Sequence, residues 1–295
     1  MDTSRVTAEL RAPRVSREAL RQLGIGTVVF AIALLRQPVK LVYEEPRITN
    51  ALRSDPLAVF APNNGQITIL QAAFFAPELS RVIAALIIAA VALYLLPRYG
   101  VVAALSLALL PIGEPGPYTG PLNGQWFIAL AVVAISLEQP RRWHYPALVL
   151  AGLSGIAPCL MWPVFRDRRG LVLAGVSVVQ VLVLAMSTRR SVGVPPDPIY
   201  LLIMLGLVFA MLVARLPTRT KLAFVYAGLV ILALGAYAEG TIRGQGRYLA
   251  VPFAGIAIGL GNLVQRRAAP ADGGGSSTDS GYPAASLRSS ATDSS

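Results

Sequence analysis

The sequence predicts an all-α protein, a polytopic bundle of transmembrane helices with about eight crossings and a re-entrant hairpin. Three observations predict this fold class. Hydrophobic residues make up 55% of the 295 residues and charged residues only 14%, whereas soluble domains carry roughly 25% charged residues. Apolar runs without charge recur along the chain. A Gly/Ser-rich segment follows the last of these runs and is too polar to bury a core.

The chain divides into three predicted parts. Residues 1–21 form a basic cytoplasmic N-terminal segment with five arginines. Residues 22–265 form the transmembrane bundle, with a long outer loop at 36–78. Residues 266–295 form a disordered cytoplasmic tail.

The first half of the bundle is predicted to hold four spans. Prolines interrupt the outer loop, in which Gln66–Ala76 is predicted as a short helix on the outer membrane surface. Pro97-Arg98 is predicted to end the second span. The four spans are Ala19–Leu35, Leu79–Leu96, Val101–Ile112 and Trp126–Leu137.

Pro146–Phe165 admits two interpretations, because glycines and prolines interrupt its apolar sequence. It is either one broken span or a re-entrant hairpin that turns near Ser154-Gly155. The hairpin places most of the 26 lysines and arginines on the cytoplasmic side, whereas a full crossing places slightly more than half outside. The positive-inside rule therefore favours the hairpin.

Four further spans complete the predicted bundle and leave both termini cytoplasmic. These spans are Leu171–Met186, Ile199–Leu216, Leu222–Ala238 and Tyr248–Val264. Arginine greatly outnumbers lysine, which together with high alanine, valine and glycine indicates a GC-rich bacterial genome. The predicted location is therefore the bacterial cell (inner) membrane, with membrane lipid as a partner.

Composition also excludes several kinds of site. The net charge is +11, but no basic patch interleaved with aromatic residues is present, so we predict no nucleic acid partner. One cysteine, Cys159, excludes an intrachain disulfide, and one histidine, His144, excludes the paired-histidine metal motifs. We predict no metal and no cofactor. The Arg141–Tyr145 segment is predicted as an interfacial belt.

Two groups of residues in the first half are candidates for chemistry. Glu44 and Glu45 follow the first span, and a carboxylate there could act as a general base. The alternative is a solvated turn ahead of Pro46. Asn123, Gln125 and Trp126 open a span after a Gly/Pro-rich loop, where the amides could bind sugar hydroxyls and the indole could stack on a sugar. The alternative is ordinary interfacial anchoring by tryptophan.

A third candidate group precedes the last span. Arg247 and Tyr248 follow a glycine-rich turn, and Arg247, with Arg243, could bind a phosphate group. The alternative is again interfacial anchoring. Few charges fall inside the predicted spans, which argues against ion-coupled transport.

These motifs resemble bacterial polytopic membrane proteins with GT-C-type glycosyltransferase architecture. The resemblance rests on Glu44-Glu45 in the first outer loop, on Asn123–Trp126 followed by Leu153–Pro158, and on Gly246-Arg247-Tyr248. It implies sugar transfer from a polyprenyl-phosphate donor at the outer face. Glu44 or Glu45 would be the base, and Asn123, Gln125 and Trp126 would bind the acceptor. Arg243, Arg247 and Tyr248 would bind the donor phosphate. A flippase or transporter for a lipid-linked solute, or a non-catalytic scaffold, remains open.

Overall fold

The computed structural model describes residues 16–37, 44–63, 66–110, 120–186, 198–239 and 246–268, and describes only the backbone at 44, 45, 237–239, 246 and 265–268. The α-helices in these ranges are α1 (Arg17–Leu35), α2 (Glu44–Ser54), α3 (Ser80–Ser106), α4 (Gly124–Leu137), α5 (His144–Leu153), α6 (Ile156–Cys159), α7 (Arg168–Met186), α8 (Ile199–Val213), α9 (Thr218–Glu239) and α10 (Ala250–Ala268). The 3-10 helices are Pro56–Phe60, Ile69–Phe75, Pro77–Leu79, Pro121–Asn123, Trp162–Val164 and Gly246–Leu249. No β-strand occurs in the described ranges, which confirms the predicted all-α class.

Five helical segments are long and apolar enough to cross a membrane: Arg17–Leu35, Pro77–Ser106, Arg168–Met186, Thr218–Ala236 and Arg247–Val264. Three shorter helices are also apolar: Pro121–Leu137, His144–Leu153 and Ile199–Val213. Large apolar side chains of α7 and α8 lie exposed, as a lipid-facing surface requires. These are the features of a polytopic membrane bundle. The count of about eight crossings stays a prediction, and most of the predicted terminal segments, at 1–15 and 269–295, lies outside the described residues.

A kink divides α3 into two limbs that match two of the predicted spans. The helix passes through Pro97 and breaks at Gly100, where φ is 80° and ψ is −179°. The prediction that Pro97-Arg98 ends the span was therefore wrong. Proline removes one hydrogen bond but keeps a helical φ, whereas the positive φ at Gly100 suits glycine and turns the backbone out of the helix.

The second limb of α3 runs back beside the first. The start of α1 lies beside Leu96–Val101, where the limbs meet. At the other end of α1, Nη1 of Arg36 donates to the carbonyls of Ala108 (3.0 Å) and Leu110 (2.9 Å). The chain therefore returns along α1 after the kink.

The central element of the bundle is α4. Most of its side chains are buried, and they pack against residues of α3, α6 and α9. Its 14 residues span about 21 Å, which is shorter than the ~30 Å hydrocarbon core of a bilayer. A span this short would ordinarily leave its ends within the hydrocarbon layer. Because α4 is enclosed by other helices, its backbone ends face protein and not lipid.

The 144–169 segment is a hairpin in the structure. It comprises α5, a turn at Ser154-Gly155, α6 and the 3-10 helix Trp162–Val164. Gly155 has a φ of 149°, which suits glycine. The two ends of the hairpin meet, because Nη1 of Arg169 lies 2.9 Å from Nδ1 of His144. The predicted turn is thus present, and its re-entry into a membrane stays a prediction.

The 66–76 segment packs into the bundle instead of forming a regular helix on its surface. Residues 66–68 are non-helical, and the 3-10 helix Ile69–Phe75 buries Gln71, Ala73 and Phe74. The prediction that Gln66–Ala76 is a surface helix was therefore wrong. Hydrogen bonds between Ile67 and Gln180 of α7 hold this segment inside the protein.

Candidate functional site

The two predicted motifs on α4 and before α10 meet in the structure. The ring centroids of Trp126 and Tyr248 lie 4.8 Å apart, with the planes inclined at 65°. The indole N–H of Trp126 donates to Oδ1 of Asn123 at 3.3 Å. The guanidinium carbon of Arg247 lies 5.3 Å from the Tyr248 ring centre. Four of the predicted site residues therefore form one cluster, which we call the α4–α10 cluster (Asn123, Trp126, Arg247 and Tyr248).

The aromatic part of this cluster is closed, and its polar part is more accessible. Trp126 and Tyr248 are only 4% and 5% exposed. A Cβ at Gly235 of α9 would come within 2.7 Å of the Tyr248 ring, so glycine there lets α9 approach the tyrosine closely. Asn123 and Arg247 are half-buried. The accessible part of the cluster therefore consists of these two polar side chains.

Gln125 faces away from this cluster and holds the hairpin. Its Oε1 accepts from the backbone N–H of Ala157 at 3.4 Å, and its Nε2 donates to the carbonyl of Leu122 at 3.5 Å. A Cβ on Gly155 would overlap Oε1 of Gln125. The structure thus gives Gln125 a positioning role, and the predicted contact with sugar stays a prediction.

The acidic pair lies at the start of α2, and the side chains of Glu44 and Glu45 are outside the described residues, as is the whole of Arg243. The structure does describe the helix that they begin, α2. Ile48 and Leu52 on α2 form a small apolar cluster with Phe74, against which Leu122 packs. Because Leu122 immediately precedes Asn123, α2 packs close to the α4–α10 cluster.

A buried polar layer surrounds the tip of the hairpin. The carbonyl of Ser154 accepts from the Thr68 hydroxyl at 2.6 Å, and the N–H of Ile156 donates to Oε1 of Gln66 at 2.8 Å. From α7, Nε2 of Gln180 donates to the carbonyls of Ile67 (2.7 Å) and Gly152 (3.0 Å). Side-chain amides thereby satisfy backbone groups that the non-helical turn leaves free.

The opposite end of the hairpin holds a charged network that the sequence did not predict. Arg169 is 1% exposed, and its guanidinium donates to the carbonyls of Ile135 and Glu138 at 2.8 and 2.9 Å. The same group forms an ion pair with Asp167 at 2.7 Å. Asp167 and Arg169 lie just before the predicted span Leu171–Met186, so the expectation that few charges fall inside the spans stays a prediction.

His144 and Glu138 complete this network. His144 is fully buried, and its Nδ1 accepts from the N–H of Arg141 at 3.2 Å. Its Nε2 lies 3.6 Å from Glu138, which also accepts from the Tyr94 hydroxyl and from Nε of Arg98 at 2.7 Å. The His144 ring thus packs inside the protein, whereas Arg141, Arg142 and Trp143 are exposed, and the interfacial belt at Arg141–Tyr145 stays a prediction.

Both carboxylates of the network are stabilised in the charged form. Burial alone raises the pKa of Glu138, but hydrogen bonds from Tyr94 and Arg98 and the charge of Arg98 outweigh it and lower that pKa. Hydrogen bonds from the Arg169 side chain lower the pKa of Asp167, against a smaller effect of burial. Both groups are therefore ionised at neutral pH.

Within the described ranges, no group of three or more His, Cys, Asp or Glu side chains could hold a metal ion. Comparisons with protein-family models, with curated proteins and with solved structures gave no match.

Proposed function

We propose that the protein is a multi-pass protein of the bacterial cell membrane, with eight crossings, a re-entrant hairpin and both termini in the cytoplasm. The contact between His144 and Arg169 supports this topology, because it brings the start of α7 back to the start of α5. The distribution of the 26 lysines and arginines supports it as well.

Within this topology, the protein is proposed to transfer a sugar from a polyprenyl-phosphate donor at the outer membrane face. The observation that carries the proposal is the ring contact between Trp126 and Tyr248. One of the two joined segments carries amide and indole groups, which suit a sugar. The other carries an arginine, which suits a phosphate. The apolar cluster of Ile48, Leu52 and Phe74, against which Leu122 packs, supports a position of α2 near the first of these segments.

In the proposed reaction, a hydroxyl oxygen of the acceptor attacks the anomeric carbon of the donor sugar. Glu44 or Glu45 removes the hydroxyl proton, and the polyprenyl phosphate leaves with the electron pair of the broken bond. Arg247, with Arg243, stabilises the negative charge on the leaving phosphate. Asn123 and Trp126 bind the acceptor, and Gln125 supports them by holding the hairpin.

The test is transfer by the purified full-length protein from a panel of polyprenyl-phosphate sugars to a panel of acceptors. Removal of the catalytic base, in Glu44→Gln or Glu45→Gln, is expected to lower the rate by about 100-fold or more. Glu78→Gln is the matched control, because Glu78 is exposed in the same outer loop. Arg247→Gln is compared with Arg53→Gln, an exposed arginine of α2.

Each outcome of this test has a clear meaning. A rate that falls in the Glu44 or Glu45 variant and in Arg247→Gln, but not in the controls, supports the proposal. No transfer from any donor, or equal rates in Arg247→Gln and Arg53→Gln, argues against it.

The alternative function is movement of a lipid-linked or hydrophobic solute across the membrane. The burial of His144 and Arg169 favours it, because ionisable groups inside membrane proteins often mark transport pathways. Reconstituted vesicles separate the two functions. A transporter would move a fluorescent polyprenyl-phosphate sugar between leaflets without any acceptor, and Glu138→Gln would slow this movement.

A further inference from the structure

A small cavity lies between the end of the hairpin and the first turns of α9. Its volume is about 180 Å³, which holds a group much larger than one water molecule. Two arginines, Arg166 and Arg219, line one side. Apolar groups line the other side, and they are Pro163, Val164, Leu222 and Ala223.

The two arginines of this cavity have no direct ion-pair partner in the part of the chain that the structure describes. Arg166 is exposed and Arg219 is half-buried. Nη2 of Arg219 donates to the carbonyl of Ser136 at 2.6 Å. Its Nε is buried and has no hydrogen-bond partner among the described residues. A bound anion would add a charged partner to the Arg219 guanidinium, whose described hydrogen bond is to the Ser136 carbonyl alone.

The carboxylate of Asp167 lies close enough to Arg219 to interact with its charge, but its hydrogen bonds go to Arg169. Asp167 directly follows Arg166, but its oxygens accept from Nε and Nη2 of Arg169 and from the Arg169 backbone N–H. The first turn of α9 adds partial positive charge, because Arg219 is the second residue of that helix. Both features favour an anion over a neutral ligand.

The apolar side of the cavity adjoins surface suited to lipid. Leu222 is 60% exposed, and Trp162, next to Pro163, is also exposed. Tryptophan is typical of the membrane–water interface. The cavity thus combines two cationic side chains with an apolar wall, which matches a charged headgroup attached to an acyl chain.

We propose that this cavity binds an anionic phospholipid, with the headgroup phosphate between Arg166 and Arg219 and an acyl chain along Leu222. The site is separate from the proposed transferase site. Arg219 contacts Ser136 near the end of α4, whereas Asn123 and Trp126 lie at its start. A failure of one proposal therefore leaves the other untouched.

The test measures binding of phosphatidylglycerol and phosphatidylcholine to the full-length protein in mixed detergent micelles, by titration of the thermal unfolding midpoint. We expect phosphatidylglycerol to bind and to raise the midpoint, and phosphatidylcholine to have little effect. Loss of one arginine, in Arg166→Gln or Arg219→Gln, is expected to weaken binding about fivefold. Arg142→Gln is the control, because Arg142 is exposed and lies outside the cavity.

Two further arms keep the result decisive. Arg219 also donates to the Ser136 carbonyl, so its replacement alters the structure as well as the charge. Leu222→Trp is the second variant, because it narrows the apolar side of the cavity and leaves the charge and this hydrogen bond unchanged. Inorganic phosphate is titrated separately. Equal weakening in Arg166→Gln and Arg142→Gln would show general attraction to a basic surface and overturn the proposal. Stabilisation by inorganic phosphate equal to that by phosphatidylglycerol would also overturn it, in favour of a free anion.

Discussion

Nη1 of Arg169 lies 2.9 Å from Nδ1 of His144, although 25 residues separate the two. The short distance requires His144 to present an unprotonated Nδ1 as the acceptor, because the guanidinium can only donate. The same guanidinium donates to the last turn of α4. One side chain therefore joins both ends of the hairpin to the central helix.

Replacement of Arg169 by glutamine should be strongly destabilising. It leaves the carbonyls of Ile135 and Glu138 and the carboxylate of Asp167 without their main partner, and each buried group left unsatisfied costs about 1–3 kcal/mol. Arg169→Lys should also be destabilising, since a lysine cannot reproduce the planar fork of donors. Thermal unfolding in detergent measures both effects.

Arg168→Gln is the matched control, since Arg168 is the preceding residue and is exposed. Its effect should stay within about 0.5 kcal/mol. Equal destabilisation by the Arg168 and Arg169 variants would mean that the buried network does not hold the hairpin.

Alanine at Gly155 should disrupt the turn of the hairpin. The φ of 149° is unfavourable for alanine, and the added Cβ would overlap Oε1 of Gln125. We expect a loss of stability of about 2 kcal/mol or more. Gly175→Ala is the contrasting change, because nothing lies within 4 Å of a Cβ there and the position is inside α7. It should be neutral or slightly stabilising, and equal unfolding midpoints for the two variants would contradict this account.

Replacement of Gln180 by leucine should weaken the attachment of the 66–76 segment to the bundle. The change leaves both backbone groups of Ile67 without a partner and removes one of the donors to the carbonyl of Gly152. A buried unsatisfied group costs about 1–3 kcal/mol. Amide hydrogen exchange at 66–76 should become faster, and that in α1 should be unchanged. Val181→Leu, at a neighbouring exposed position, is the control.

Stability should fall at acid pH because of Glu138 and Asp167. The folded-state pKa of each carboxyl is lowered, so each carboxyl adds to the free energy of unfolding at pH values above its unfolded pKa, near 4. This stabilisation is lost as the pH falls through the folded-state pKa. Thermal unfolding between pH 7 and 3 measures this loss. Asp167→Asn should be less stable than the parent at pH 7 and should lose less between pH 5 and 3. A parallel decline of both proteins would exclude Asp167 as a contributor.

The sequence was a good guide where a residue type dictates backbone geometry. Glycine and serine inside an apolar run predicted the turn at Ser154-Gly155, and the structure has it there. Charge-free runs predicted the long helices. Aromatic residues beside polar ones predicted the segments of Trp126 and Tyr248, which meet.

The sequence was a poor guide where distant contacts decide a residue's surroundings. Arg169 belongs to the run Arg166–Arg169, which is typical of a solvated loop. In the structure its guanidinium instead lies inside the protein, where it donates to carbonyls at the end of α4. The sequence of Gln66–Ala76 is typical of a surface helix. Its actual conformation depends on a hydrogen bond between Ile67 and Gln180, which lies 113 residues away. Local pattern cannot anticipate such partners, since they come from elsewhere in the chain.

The Arg169 contact also sets an order for biosynthesis. A nascent chain that has emerged only through Asp167 contains α4, α5 and the hairpin turn, but not the side chain that fastens them together. The hydrogen bonds that Arg169 makes to the end of α4 and to His144 can therefore form only after Arg169 has been translated. Stalled chains released at residue 165 should be degraded by membrane proteases faster than chains released at residue 186, which include the whole of α7.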